Sequence, residues 1–358
     1  MISISRPIIE DEERQAVLEV LETGQLAQGP RVAMLERRFA EQCCTKHAIA
    51  VSSGTAALHL ALLAHGVGPG DEVITSPFSF VATASTIMMT GAKPLFADVR
   101  EDDFCLDPAS VRRLLSPRTR AIIGVHLFGQ PFDVDAVSRC AADAGVPLIE
   151  DAAQAIGGRY GGRPVGSFGT GCFSLYATKN IMCGEGGIVT TNDGILDEQV
   201  RLLRSHGASQ QYQHVRLGYN LRMNDLCAAI GVAQLAKLER FTCRRRENAA
   251  FLDARIQGTK LPRELPGRYH VYHQYTVRIE RDRDGVAARL HHAGVGTGVF
   301  YRTPIHKQPF VREAVGDVSC PVAERLANEV LSLPVHPSVT DQELLQVVTA
   351  LNGAVRGA

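Results

Sequence analysis

Between residues 48 and 193 the chain alternates short apolar runs with helix-like segments that end at glycine, and this rhythm restricts the fold more than any other feature. The runs are AIAVSS (48–53), DEVITS (71–76), KPLFADV (93–99), RAIIGVHLF (120–128), PLIEDAA (147–153), CFSLYA (172–177) and GIVTTND (187–193). Segments such as TAALHLALLAHG and DVDAVSRCAADAG separate the earlier ones. Near-continuous apolar strands joined by helices predict a mostly parallel sheet, α/β in class, with helices on both faces. Only a lysine-bearing loop divides the last two runs, so part of the sheet is expected to be antiparallel.

After about Arg240 the texture changes. RRRENAAFLDARIQG reads as a long polar helix and HVYHQYTVRIE as a strand, while RDGVAARLHHAGVGTGVFY reads as a helix followed by a strand. Thr340 and Glu343 form a capping box ahead of a stripe made by Leu344, Leu345, Val348 and Leu351. The expected organisation is a large α/β domain over 1–240, including an N-terminal helix, and a smaller α+β domain over 241–358.

Composition excludes several classes of function. Lys and Arg number 38 against 38 Asp and Glu, so no basic footprint for nucleic acid or an anionic membrane is present. The nine cysteines include the vicinal pair Cys43–Cys44 but no CxxC or zinc-type spacing, which points to reduced thiols in a cytoplasmic protein. MISISRPIIEDEE lacks the layout of a signal peptide, and no run approaches the roughly 18 apolar residues of a membrane span.

Three stretches carry candidate chemistry. In VSSGTAALHLAL a strand ends at Val51, Ser52-Ser53-Gly54-Thr55 turns, and an amphipathic helix begins. Free amides and the helix dipole at such a turn attract phosphate, although the same residues also make an ordinary N-cap. In VPLIEDAAQA a buried strand delivers Glu150 and Asp151, with Gln154 following. A carboxylate at a strand's C-terminal end is placed either to hold a cationic ring nitrogen or to cap a helix. In SLYATKNIMCGEGG, Lys179 lies between an apolar strand and a glycine cluster. It reads as a surface lysine, as a phosphate ligand or as a desolvated amine able to bond a carbonyl carbon. The glycines after it are expected to let the backbone clear a ligand. One ligand satisfies all three stretches: a phosphate for Ser53, Gly54, Thr55 and Ser174, a pyridinium nitrogen for Asp151 and an aldehyde for Lys179. That ligand is pyridoxal 5′-phosphate. Phe80, in SPFSFVATA, either stacks on its ring or packs in the core.

With these pieces in place the chain resembles the DegT/DnrJ/EryC1/StrS family of fold-type-I sugar aminotransferases. The matching pieces run in order over nearly its whole length: RPIIEDEERQAVLEVLETGQLAQGP, SSGTAALHLAL, DEVITSPFSFVATA, IEDAAQAIGGRYGGRPVGSFG, FSLYATKNIMCGEGG, GYNLRMNDLCAAIGVAQLAKL, FYRTPIHKQPF and LSLPVHP. The resemblance implies Lys179 as Schiff-base lysine and proton shuttle, Asp151 at the ring nitrogen and Gln154 near the ring hydroxyl. It also implies Thr55, Ala56 and Ser174 at the phosphate and Phe80 on the ring face. Asn220, with Arg222 close by, would reach the phosphate site of a neighbouring subunit, giving a homodimer with shared active sites. Tyr301, His306 and Gln308 would lie near the substrate mouth, His306 reading equally as a structural histidine. The 26–28 stretch and the 204–214 loop are further candidate contacts. Ile181-Met182-Cys183 departs from the polar or small residues of many relatives. The implied reaction takes an amino group from L-glutamate to a keto-deoxy sugar linked to a nucleoside diphosphate. A keto-inositol acceptor, a dehydratase and a non-catalytic sensor that keeps the cofactor are the alternatives.

Overall fold

A computed structural model describes residues 1–356. Each apolar run becomes a strand of one sheet: β1 (His47–Val51), β2 (Glu72–Thr75), β3 (Lys93–Phe96), β4 (Thr119–Val125), β5 (Leu148–Asp151), β6 (Thr170–Ser174) and β7 (Gly187–Thr191). The seven strands lie in the order β1-β7-β6-β5-β4-β2-β3. Neighbours from β3 to β6 pair in parallel, whereas β7 pairs antiparallel with both β6 and β1. The expected antiparallel part of the sheet is therefore the single strand β7. The loop that reverses the chain into β7 carries Lys179.

The strand period of two divides the core between the faces. Ile49 and Val51 join Ile149 and Val189 beneath α3 (Gly54–Ala64), while Ala48 and Ala50 join Phe173 and Ile188 beneath helices from elsewhere in the chain. The N-terminal helices α1 (Asp11–Thr23) and α2 (Pro30–Cys43) lie on that second face. α3 was expected to be amphipathic, but Ala56 through Leu62 are all buried. The helix lies between the sheet and two more helices, α4 (Ala82–Met89) and a helix at Gly194–Arg204, so no side of it faces water.

Beyond residue 240 the expected strand is β8 (Tyr275–Arg278), which pairs antiparallel with β9 (Val330–Leu333). The strand expected after RDGVAARLHH does not form. Gly294 takes φ +79° and the segment makes only isolated bridges, Ile2 to Val295 and Gly298 to Ser332. The capping box at the last helix is present: Thr340 N–H donates to Glu343 at 2.8 Å and Glu343 N–H donates to Thr340 Oγ1 at 3.2 Å.

We propose residue 240 as the border of two domains. It falls inside a helix, Leu238–Asp253, whose first turns pack in the core beneath the sheet and whose last turns pack with β8 and β9. Two segments cross that border. Ile2 packs with the C-terminal unit, and Ile305, Val311 and Leu326 pack against the sheet's other core.

Candidate active site

The C-terminal ends of β1, β5 and β6 bring the three candidate stretches together. At the first, Ser53 caps α3, its hydroxyl accepting from the Ala56 amide at 3.1 Å. Gly54 abuts β6: a Cβ there would lie 2.7 Å from Ser174 Cβ and 3.2 Å from its Oγ. The hydroxyl of Ser174 thus sits directly against the opening turn of α3, where free amides and the helix dipole favour an anion. Gly54→Ala is expected to push the two apart and to weaken cofactor binding about 10-fold or more, as overpacking of a tight contact does. Titrating pyridoxal phosphate into the cofactor-free variant by absorbance checks this.

Asp151 ends β5 and is buried. Its Oδ2 accepts from Thr83 Oγ1 at 2.8 Å and its Oδ1 from the Ala153 amide at 3.2 Å. Burial pushes its carboxyl above the usual value, while Thr83, the Ala153 amide, Lys179 and His126 pull it back. Among the described residues it makes no ion pair. A desolvated carboxylate lacking a counter-cation suits a ligand that brings a positive N–H.

Glu150 points to the sheet's other side. Its oxygens accept from the amides of Gly166, Phe168 and Gly169 at 2.8, 2.8 and 2.9 Å and meet His126 Nε2 at 3.1 Å. His126 Nδ1 accepts from the Phe132 amide at 3.3 Å, so Nε2 carries the proton given to Glu150. This pair fixes the end of β5 and leaves Asp151 alone to face the crevice.

Lys179 sits on the reversing loop, whose ends are pinned by Leu175 N–H to Gly186 O and Cys183 N–H to Leu175 O, both at 2.8 Å. Burial lowers its amine to about 8, with the charge of Asp151 acting in the opposite sense. The loop glycines were expected to clear a ligand, and their contacts are different. Gly184 takes φ +84°, Gly186 packs on Cys183 and Met223, and Gly187 lies against the Ser53–Gly54 turn. They close the loop and bring β7 up to the Ser53–Gly54 turn. Cys183 is buried and packs there.

The lowered amine predicts a pH effect on the cofactor-free chain. Between about 8 and the ordinary 10.5 the unfolded chain holds a proton on Lys179 that the folded chain has released. Stability from this residue therefore rises with pH across that window, and the burial penalty is complete below it. Denaturant titration is expected to show Lys179→Met more stable than wild type at the low end, with the gap closing toward the high end.

The remaining candidates divide. Gln154 Oε1 accepts from the Phe128 amide at 2.8 Å and its Nε2 donates to Tyr301 Oη at 3.1 Å. Phe80, 56% exposed, lies 6.3 Å from the Tyr301 ring. Both rings line an open groove of ≈ 390 Å³ with Ser79, Arg302, Gln308 and Phe310. His306 stands apart from this mouth: it is fully buried, with Nε2 2.9 Å from Glu324 and its ring beside Phe96. Its structural reading is the one the geometry favours. Asn220 is exposed and bridges Ser205, and Arg222 bridges Val51 beside the phosphate turn. Arg204, from the loop expected to touch substrate, is instead buried on Glu36 and the Ala50 carbonyl, both at 2.6 Å. The 26–28 stretch is anchored by the Asp225 amide, which donates to the Leu26 and Ala27 carbonyls.

Thr83 and the His126–Glu150 buttress escaped the sequence reading. Thr83 had one local signal, its helical spacing from Ser79, whose hydroxyl it meets at 2.9 Å. The buttress had none, because its bonds join segments distant in sequence.

A buried carboxylate at one strand end, a desolvated lysine on the reversing loop and a hydroxyl-lined helix start together define a pyridoxal-phosphate-dependent aminotransferase. The chain belongs to the DegT/DnrJ/EryC1/StrS aminotransferase family, which it matches over residues 7–352. It is similar to the pleiotropic regulatory protein of Geobacillus stearothermophilus, 42% identical over 338 residues covering 92% of this chain and 91% of that protein. It is likewise similar to the spore coat polysaccharide biosynthesis protein SpsC of Bacillus subtilis (strain 168), 39% identical and covering 99% of this chain and 97% of that one. Among solved structures, DesV of S. venezuelae in complex with a ketimine intermediate matches with a TM-score of 0.93 at 39% identity, covering 96% of this chain and 94% of DesV. This is a family of sugar aminotransferases. No helix among the described residues is long and apolar enough to cross a membrane.

Proposed function

We propose that the enzyme transfers the amino group of L-glutamate to the ketone of a nucleotide-linked keto-deoxy sugar, yielding an aminosugar. One observation carries the reading: unpaired Asp151 and desolvated Lys179 feel each other's charge, and Asp151 is joined through the Thr83 hydroxyl to Ser79, which lines the open groove of Phe80, Tyr301 and Gln308. The spore coat polysaccharide role named for SpsC supports a sugar acceptor.

In this reading Gly54, Thr55 and Ser174 hold the phosphate, Ala56 joining them only when its amide leaves the Ser53 hydroxyl it now serves, while Phe80 covers the ring and Asp151 keeps a proton on the ring nitrogen. Gln154, fixed from both sides, orients the ring's edge. The bound cofactor supplies an aldehyde that takes up the amino group and a ring that accepts electron density. Lys179 would hold the cofactor through Nζ in the absence of a donor, and as a free amine that Nζ would take the proton from the donor's Cα. An amine that titrates near 8 is suited to this work, since it both takes and returns a proton near neutral pH. Tyr301 Oη accepts from Gln154 Nε2, which leaves its O–H free to donate. Asn220 completes the phosphate site of a second subunit, so the working unit is a homodimer, and the chain's nine cysteines without disulfides support a cytoplasmic setting.

The test is an absorption spectrum of the holoenzyme before and after L-glutamate, followed by a screen of nucleotide-linked keto sugars and keto-inositols. Loss of the aldehyde band with glutamate, and its return with a keto sugar, is expected. A band that glutamate leaves unchanged would overturn the donor or the reaction class. Return of the band with a keto-inositol alone would make the acceptor a cyclitol. A stable spectrum with no turnover on any donor or acceptor would mark a sensor.

A further inference from the structure

Lys179 borders a second, much smaller cavity of ≈ 20 Å³, walled also by Arg6, Ile8, Gln234, Phe241 and Arg245. Arg245 is 4% exposed. Its Nη1 donates to the carbonyls of Tyr272 and His273 at 3.2 and 3.3 Å, but its Nε is buried with no hydrogen-bond partner. Among the described residues it makes no ion pair. A guanidinium stays charged at neutral pH, and a buried charge without a counter-ion carries a large desolvation cost. Every charged residue of the lining is basic: Arg6, Lys179 and Arg245.

Neighbouring titratable groups do not compensate. His273 lies between the lysine loop and Arg245, its Nδ1 3.1 Å from Asn180 Oδ1, and burial with the nearby Lys179 and Arg245 charges keeps it neutral. Burial likewise lowers His336, to about 4. Glu343 is committed to its capping box, and Asp151 faces Lys179 from the crevice. One water needs roughly 10–15 Å³ of such space, so the cavity has room for one particle of about that size.

We propose that this cavity is a binding site for a single small monovalent anion of the halide class, held by Arg245 Nε–H beside Lys179. Its negative charge favours the ammonium form of the lysine, so occupancy sets the pH at which the amine becomes available. The site thereby adds a salt-dependent control to the proposed reaction, and rests on that reading only through the role of Lys179.

Two measurements on the holoenzyme test it. The first is anomalous diffraction from crystals grown in bromide, which is expected to show a peak within hydrogen-bond distance of Arg245 Nε in wild type and none there in Arg245→Gln. The second is the pH midpoint of the cofactor's visible absorption. In wild type it is expected to lie roughly half a pH unit or more higher in bromide or chloride than in gluconate at equal ionic strength, as one charge acting through a partly hydrated interior requires. In Arg245→Gln the salts are expected to give one midpoint. Ordered water without bromide in the wild-type cavity would overturn the proposal. A bromide peak with an unmoved wild-type midpoint would also overturn it, marking an adventitious ion only. The wild-type comparisons stand alone if the variant fails to fold. Failure of the lysine assignment is separately visible, because Lys179→Ala would then keep the wild-type spectrum.

Discussion

Lys179→Ala is expected to lower kcat by about 10⁴-fold or more while leaving the chain folded. A positioned general base contributes up to roughly 10⁴-fold, and in the proposed mechanism the same amine also makes the covalent bond. The amine lies in a desolvated setting that lowers it to about 8, so its removal relieves a burial cost in the cofactor-free protein. The signature is thus a catalytic collapse without loss of thermal stability. Stopped-flow absorbance with L-glutamate, beside thermal unfolding of the same preparations, reads both. Retention of more than about a hundredth of wild-type turnover would remove Lys179 from the centre of the mechanism.

Asp151→Asn is the second large effect, with an expected fall of about 10²–10³ in kcat, the scale of losing one preorganised electrostatic partner. The substitution keeps the size of the side chain and an acceptor for the Thr83 hydroxyl, now 2.8 Å away. What disappears is the negative charge. That loss has a second readout: Asp151 raises the Lys179 amine, so in the variant the amine titrates lower than about 8. A variant with full kcat, or with an unshifted lysine titration, would show that the carboxylate's charge is not felt in the crevice.

The sheet was legible because its strands are buried on both faces and therefore read as unbroken apolar runs bounded by turn residues. Ile49 and Val51 against Ala48 and Ala50 show the same period in the sequence and in the two cores. The reversal at β7 was legible from the shortness of the loop before it. The C-terminal part was harder. Its strand after RDGVAARLHH failed because glycines at 294, 296 and 298 leave little side chain to pack, and the segment is fixed by Ile2 from the far end of the chain. At the site, each residue whose signal was local stood out: the turn at Ser53–Gly54, the carboxylate at a strand end and the lysine before glycines. Thr83 on Asp151, Gln154 on Phe128 and Tyr301, and Glu150 on three distant amides were invisible, since hydrogen bonds between remote segments leave no spacing to read.

The antiparallel strand β7 also imposes an order on biogenesis. β1 pairs with nothing but β7 in the sheet, His47 meeting Thr191 and Val51 meeting Gly187. A ribosome-bound chain that has not yet exposed residues 187–191 therefore carries a β1 without a strand partner, together with the apolar α3 that follows it. That unpaired edge invites association with other nascent chains until the lysine loop has emerged and turned. The proposed phosphate turn is braced in the same event, because Gly187 at the start of β7 lies against Ser53 and Gly54. Synthesis past residue 191 is thus the point at which the Ser53–Gly54 turn first gains its neighbour in β7.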